Sequence, residues 1–228
     1  MARRRVSNPL ALAVLSCLNE RPMHPYEVSS TLRFRGKEDS IRINYGSLYS
    51  VVESLQKHGL IRARETTREG RRPERTVYEI TDAGVAEFED WLAELLSTPV
   101  REFTSLEAGL SLMPGLPPED VAKLLAKRAD RLRAELRTLD TTLAEATAVG
   151  VTDLFLVEGT FRRTMLSAEL EYVGSLAEGI RTGSFAGVKV WHRMHELRGA
   201  GVGLEEILAD PVGHLGEEGR ILLQFPPG

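Results

Sequence analysis

The stretch from Arg42 to Ile61, RINYGSLYSVVESLQKHGLI, constrains this chain more than any other. At ~100° per residue, Leu48, Val51, Val52 and Leu55 fall in one sector. Gly46, Ser50 and Lys57 point the opposite way, with Ser47, Tyr49, Glu53 and Ser54 on the flanks. Asn44 suits an N-cap, and Gly59 suits the position just past the C-terminus. This is a helix held on a core by one stripe, with an outer face of small polar groups that another surface can approach closely.

The flanking sequence gives that helix a setting. Asn8-Pro9 opens an earlier helix, with proline at the position where its missing N–H costs nothing. Leu10, Leu12, Val14, Leu15 and Leu18 leave it almost no polar face, and Arg21-Pro22 ends it. A second helix is expected from His24-Pro25 through Leu32, with Tyr26, Val28 and Leu32 inward, and a short strand at Ile41-Arg42-Ile43. After Gly59, the segments Leu60–Thr66 and Thr76–Ile80 read as strands. Between them Arg68-Glu69-Gly70-Arg71-Arg72-Pro73-Glu74-Arg75 makes a turn with a basic tip. Thr81 or Asp82 caps a further helix, with Phe88, Trp91, Leu92, Leu95 and Leu96 as its apolar face. Three helices, a hairpin and a helix form a winged helix-turn-helix. In that arrangement the second helix of the motif enters the major groove, and hairpin arginines reach phosphates or the minor groove.

Charge supports this setting. The net charge is −4, but residues 1–80 hold 15 Lys/Arg against 9 Asp/Glu, and the remainder holds 14 against 24. A basic first part beside an acidic second part matters more than the total, because binding follows the local field. Arg3, Arg4 and Arg5 read either as a solvated tail or as a basic arm. Cys17, the one cysteine, sits in an apolar run and reads as a small buried hydrophobe, consistent with a reducing cytoplasm. The apolar run Leu10–Leu18 is too short for a bilayer, and no cleavage site follows it. The expectation is a soluble, cytoplasmic protein.

At this point the residues resemble the PadR-like transcriptional regulators. Tyr45-Gly46-Ser47-Leu48-Tyr49, Leu55 and His58-Gly59-Leu60-Ile61 look like that family's recognition-helix signature. His24-Pro25-Tyr26-Glu27 is similar to its second-helix start. Arg71-Arg72-Pro73 followed by Tyr78-Glu79-Ile80-Thr81-Asp82-Ala83-Gly84 looks like its wing and the entry to the next helix. The family commonly has proline where this chain has Ser50, and basic residues where it has Glu53 and Ser54. The resemblance implies dimerisation through C-terminal helices, and repression relieved by a small effector.

The second part is helical throughout. A short apolar helix is expected over Phe103–Met113 and a long one over Pro118–Thr147. In the long helix Ala122, Leu125, Ala129, Leu132, Leu136, Leu139, Leu143 and Ala146 recur at alternating steps of three and four, a coiled-coil-like seam. After Gly150 another long helix, Thr152–Arg181, carries Phe155, Phe161, Met165, Tyr172, Val173, Leu176 and Ile180. The pair should be antiparallel and should bury its apolar surface in a symmetric homodimer, with Leu125, Leu132, Leu136, Leu139, Leu143, Met165, Tyr172 and Leu176 as dimerisation residues. Nine of the 20 glycines lie from Gly183 onward, in a tail that exceeds the family pattern. Short helices are expected there at Val188–Leu197 and Leu204–Leu208. The domains read as 1–98, a winged helix; 99–182, a helical dimerisation and effector region; and 183–228, a Gly-rich extension.

No catalytic constellation emerges. His192 and His195 lie three apart beside Glu196 without a third ligand at metal-site spacing, so neither a metal nor a cofactor is expected. Trp91 and Trp191 are the weak candidates for an effector wall. The fold is mainly α. The expected function is that of a homodimeric, DNA-binding transcriptional repressor on a two-fold symmetric operator. Asn44, Tyr45, Ser47, Tyr49, Ser50 and Lys57 would contact DNA from the recognition helix, and Arg68, Arg71, Arg72 and Arg75 from the wing. A winged-helix module that binds protein instead is the alternative.

Overall fold

The computed structural model describes residues 8–41, 43–67 and 75–224. The chain divides into two compact units, Met1–Arg101 and Glu102–Gly228. Among the described residues no helix is long and apolar enough to cross a membrane.

In the first unit, α1 (Pro9–Glu20) starts where the Asn8 side chain accepts the Leu10 N–H at 2.9 Å. It buries Leu10, Ala11, Val14, Leu15, Cys17 and Leu18 and forms the centre of the core. α2 (Pro25–Phe34) opens on a reciprocal cap. His24 Nδ1 accepts the Tyr26 N–H, and the Glu27 carboxylate accepts the His24 N–H at 2.8 Å. Its inward face is Pro25, Val28, Ser29 and Leu32, spaced three, four and seven along the helix. Tyr26 is one step off that stripe and is 58% exposed, which corrects its expected inward role.

A 3₁₀ turn at Lys37–Asp39 leads to α3 (Tyr45–Lys57). The expected strand at 41–43 is not formed by Ile41 or Ile43, which pack against the core as half-buried side chains. Arg42 lies outside the described residues. The backbone partner for the hairpin is instead Met23, which exchanges two 3.0 Å hydrogen bonds with Tyr78. β1 (Ile61–Thr67) pairs antiparallel with β2 (Arg75–Ile80), with Ile61 opposite Ile80 and Ala63 opposite Tyr78. α4 (Asp82–Ser97) is capped by Thr81, whose Oγ1 accepts the Gly84 N–H at 3.1 Å. It packs on the core through Phe88 and Trp91. Leu92, Leu95 and Leu96 are 37%, 54% and 81% exposed, so the apolar face expected of them is uncovered in a single chain.

The second unit begins with α5 (Ser105–Leu112), capped by Thr104, with Phe103 outside the helix and exposed. α6 (Pro118–Ala148) and α7 (Val157–Thr182) are an antiparallel pair. The ion pairs Arg128–Glu169 and Glu135–Arg162 step seven residues along each helix in opposite directions. α7 starts later than expected because Asp153–Phe155 forms a separate 3₁₀ turn. Val121, Ala122, Leu125, Ala129 and Leu132 of α6 pack with Val173, Ala177 and Ile180 of α7. The Gly-rich tail is folded: α8 (Val188–Gly199), α9 (Leu204–Ala209), α10 (Pro211–Leu215) and a 3₁₀ stretch, Glu217–Gln224. Leu197, Ile207 and Leu215 form a small core of their own.

Candidate nucleic-acid interface

The apolar stripe anchors α3. Leu48 and Leu55 are fully buried, and Val51 and Val52 nearly so. Asn44 Oδ1 accepts the Ser47 N–H at 2.7 Å, so this atom serves the helix start. The residue after the C-terminal turn is Gly59 at φ +71°, a left-handed conformation that side chains with a Cβ disfavour. Outside the stripe are Gly46, Tyr49, Ser50, Glu53, Gln56 and Lys57, all exposed, with Ser47 and Ser54 half-buried beside them. Tyr49 is 47% exposed, so it is outward rather than packed beside Leu48. Ser50 Oγ donates to the Gly46 carbonyl at 3.1 Å, which leaves its lone pairs facing out. Tyr45 is the first residue of α3.

The wing is fastened to the end of α3 by Thr81. Its hydroxyl lies 2.7 Å from the Gly59 carbonyl and 3.1 Å from that of Leu60, and its N–H donates to Leu60 O. Arg68, Arg71 and Arg72 lie outside the described residues, and Arg75 opens β2 opposite Thr67. The wing stem adds two cations that were not expected from the sequence. The β1–β2 register slips between Ala63 and Glu65, placing both Arg62 and Arg64 by Glu79, at 2.7 and 3.7 Å. Both arginines are more than half exposed. The signal that would have found them is the alternation Arg62-Ala63-Arg64 on one strand.

The remaining site residues are dispersed. Trp91 is 5% exposed in the winged-unit core. Trp191, a weak candidate for an effector wall, is 8% exposed, and its indole N–H donates to the Leu116 carbonyl at 2.9 Å. His195 Nε2 lies 2.9 Å from the Pro114 carbonyl, and His192 lies between Glu119 and Glu196. Leu125, Leu132 and Leu136 are buried within the single chain, so the seam read as a contact between chains is filled by the chain's own α7. Leu139, Leu143 and Leu176 are half-buried, whereas Met165 and Tyr172 are exposed.

The winged-helix arrangement is shared with known proteins. Residues 14–90 match the family model described as the transcriptional regulator PadR-like family. The winged-helix unit is PadR-like. Solved structures share the fold. Bacillus subtilis PadR in complex with operator DNA is 20% identical, with a TM-score of 0.59 over 76% of this chain and 99% of that one. The same protein in complex with p-coumaric acid is 18% identical, with a TM-score of 0.61 over 75% and 98%. The PadR-like transcriptional regulator BC1756 from Bacillus cereus is 18% identical, with a TM-score of 0.52 over 76% and 99%. No curated protein matched the chain. The PadR-like family and these neighbours are transcriptional regulators, not enzymes.

Proposed function

We propose that this chain is a PadR-like transcriptional regulator, a homodimeric repressor that reads a two-fold symmetric DNA operator through α3 and is released by a small molecule. The observation that carries the reading is the division of α3 into a fully buried apolar stripe and an exposed small-polar face. Asn44, Tyr45, Ser47 and Ser50 belong to the N-terminal end of a helix so anchored, the end that meets base edges in helix-turn-helix proteins. Tyr49 and Lys57 then hold phosphates. Arg68, Arg71, Arg72 and Arg75, with Arg62 and Arg64 of the stem, anchor the wing to the backbone.

The dimer reading now rests on the outer face of α7. Phe161, Met165 and Tyr172 are each more than half exposed. Their offsets of four and eleven residues place them within ~40° of one another on the helix. Large apolar side chains on one face are normally covered, and a second copy covers them symmetrically. Leu139, Leu143 and Leu176 flank the seam, while Leu125, Leu132 and Leu136 act as core. That one neighbouring structure holds operator DNA and another holds p-coumaric acid supports DNA and a small effector as the two ligand classes. Release requires unequal effector affinity for the DNA-bound and free arrangements.

Fluorescence anisotropy with DNA from upstream of the protein's own gene tests this. Specific, salt-sensitive binding is expected, weakened at least tenfold by Met165→Glu with Tyr172→Glu, which also yields monomers by light scattering. Binding with equal affinity to any sequence refutes the reading.

A further inference from the structure

Beyond the residues already assigned to the DNA surface, we propose that Glu53 is a specificity-determining residue of α3, its carboxylate accepting a hydrogen bond from the N4 amino group of cytosine in the major groove. The inference rests on the DNA-reading function and adds to it the base that one position of each half-site should carry.

Glu53 is the one acidic residue of α3 and is exposed. It follows Ser50 by three residues and precedes Lys57 by four, so it neighbours both on the outer side of the helix. Glu four residues before Lys is the favourable order for an ion pair along a helix. Even so, no ion pair joins Glu53 to Lys57 among the described residues. Other donors nearby are turned elsewhere. Ser50 Oγ donates to the Gly46 carbonyl at 3.1 Å, and His58 Nδ1 lies 2.7 Å from the Ser54 carbonyl. Arg62 and Arg64 of the wing stem lie by Glu79. The carboxylate therefore keeps its accepting capacity, and the buried stripe behind it holds the helix in one orientation.

Charge decides what such a group can meet on DNA. A carboxylate is repelled by phosphates and by the acceptor atoms of the major groove, guanine N7 and O6, adenine N7 and thymine O4. Two groups on the groove floor donate, cytosine N4 and adenine N6. Adenine sets its N7 acceptor beside N6, against a carboxylate, whereas cytosine offers its amino group with no acceptor on the same edge. Cytosine is the favoured partner. The same negative charge opposes every duplex that lacks the donor, so Glu53 raises discrimination while lowering general attraction.

Selection from a pool of duplexes with a randomised centre tests this, using the full-length protein and its Glu53→Ala and Glu53→Gln variants. The unaltered protein should enrich a motif in which cytosine is favoured at least about tenfold at one position of each half-site, the order expected for one base contact. Glu53→Ala should level that position alone and tighten binding to a duplex outside the motif. Glu53→Gln should shift it toward adenine, which a carboxamide meets through two hydrogen bonds. A cytosine preference kept in Glu53→Ala overturns the proposal, even where all duplexes bind more tightly, because the carboxylate is then a repelling charge only. That result leaves DNA reading standing. Enrichment of no motif by the unaltered protein overturns DNA reading and this inference together.

Discussion

At Gly84 a Cβ would overlap the Leu60 carbonyl oxygen, because the first turn of α4 rests on the entry to β1. Backbone cannot yield as a flexible side chain does. Gly84→Ala is therefore expected to cost about 3 kcal/mol, read from chemical denaturation. Ser29 behaves in the opposite sense. Its hydroxyl is buried with no hydrogen-bond partner among the described residues, so Ser29→Ala should stabilise the protein by about 1 kcal/mol. Burial also raises the Cys17 thiol to about 11, which keeps it protonated at neutral pH. Iodoacetamide at pH 8 should leave Cys17 unmodified in the native protein and alkylate it on unfolding; rapid native modification would contradict its burial. At this scale the sequence was informative where a residue type matched a local need, as with the caps at Asn8, Asn44 and Thr81. It was silent on Ser29, which occupies the inward position that Tyr26 was expected to share, because a serine carries no apolar signal.

At the scale of the element, α3 was the most legible part of the chain. Its stripe, its cap and its terminal glycine are all local, and they agree. The three-residue alternation Ile41-Arg42-Ile43 misled, since so short a run also suits an extended connection that tucks two isoleucines into a core. Met23 was missed because its pairing with Tyr78 comes from chain folding, not from any strand pattern around it. The α6 seam announced that a helix needed a partner without saying whose. The turn after Ala148 returns α7 onto it, and so Leu125, Leu132 and Leu136 are core within one chain. Trp191 was illegible for a similar reason, as its acceptor lies 75 residues away. The outer face of α3 supports a prediction of its own. Ser50 is exposed and holds no buried contact. Ser50→Ala should leave stability within about 0.5 kcal/mol. In a panel of single-base operator variants it should lose about 1–3 kcal/mol of discrimination at one base pair, if Ser50 reads that base. An unaltered preference profile would remove it from the interface.

For the whole molecule, the division of charge sets the expectation. On the proposed function, a chain that is basic over residues 1–80 and acidic over the remainder should take DNA on the winged unit. Replacing Arg71 and Arg72 with Ala should weaken binding to all sequences alike and flatten the log–log salt slope by about 0.9 for each phosphate that is no longer neutralised. An unchanged slope would exclude the wing tip from the DNA surface. In the proposed dimer two α3 helices would meet paired half-sites, and on that pairing the proposed function depends. Hydroxyl-radical footprinting of the DNA upstream of the protein's own gene tests it most directly. Two protected segments related by a two-fold axis are expected, their centres about 34 Å or a multiple of it apart. A single unpaired footprint, or no protection at low salt, would contradict it.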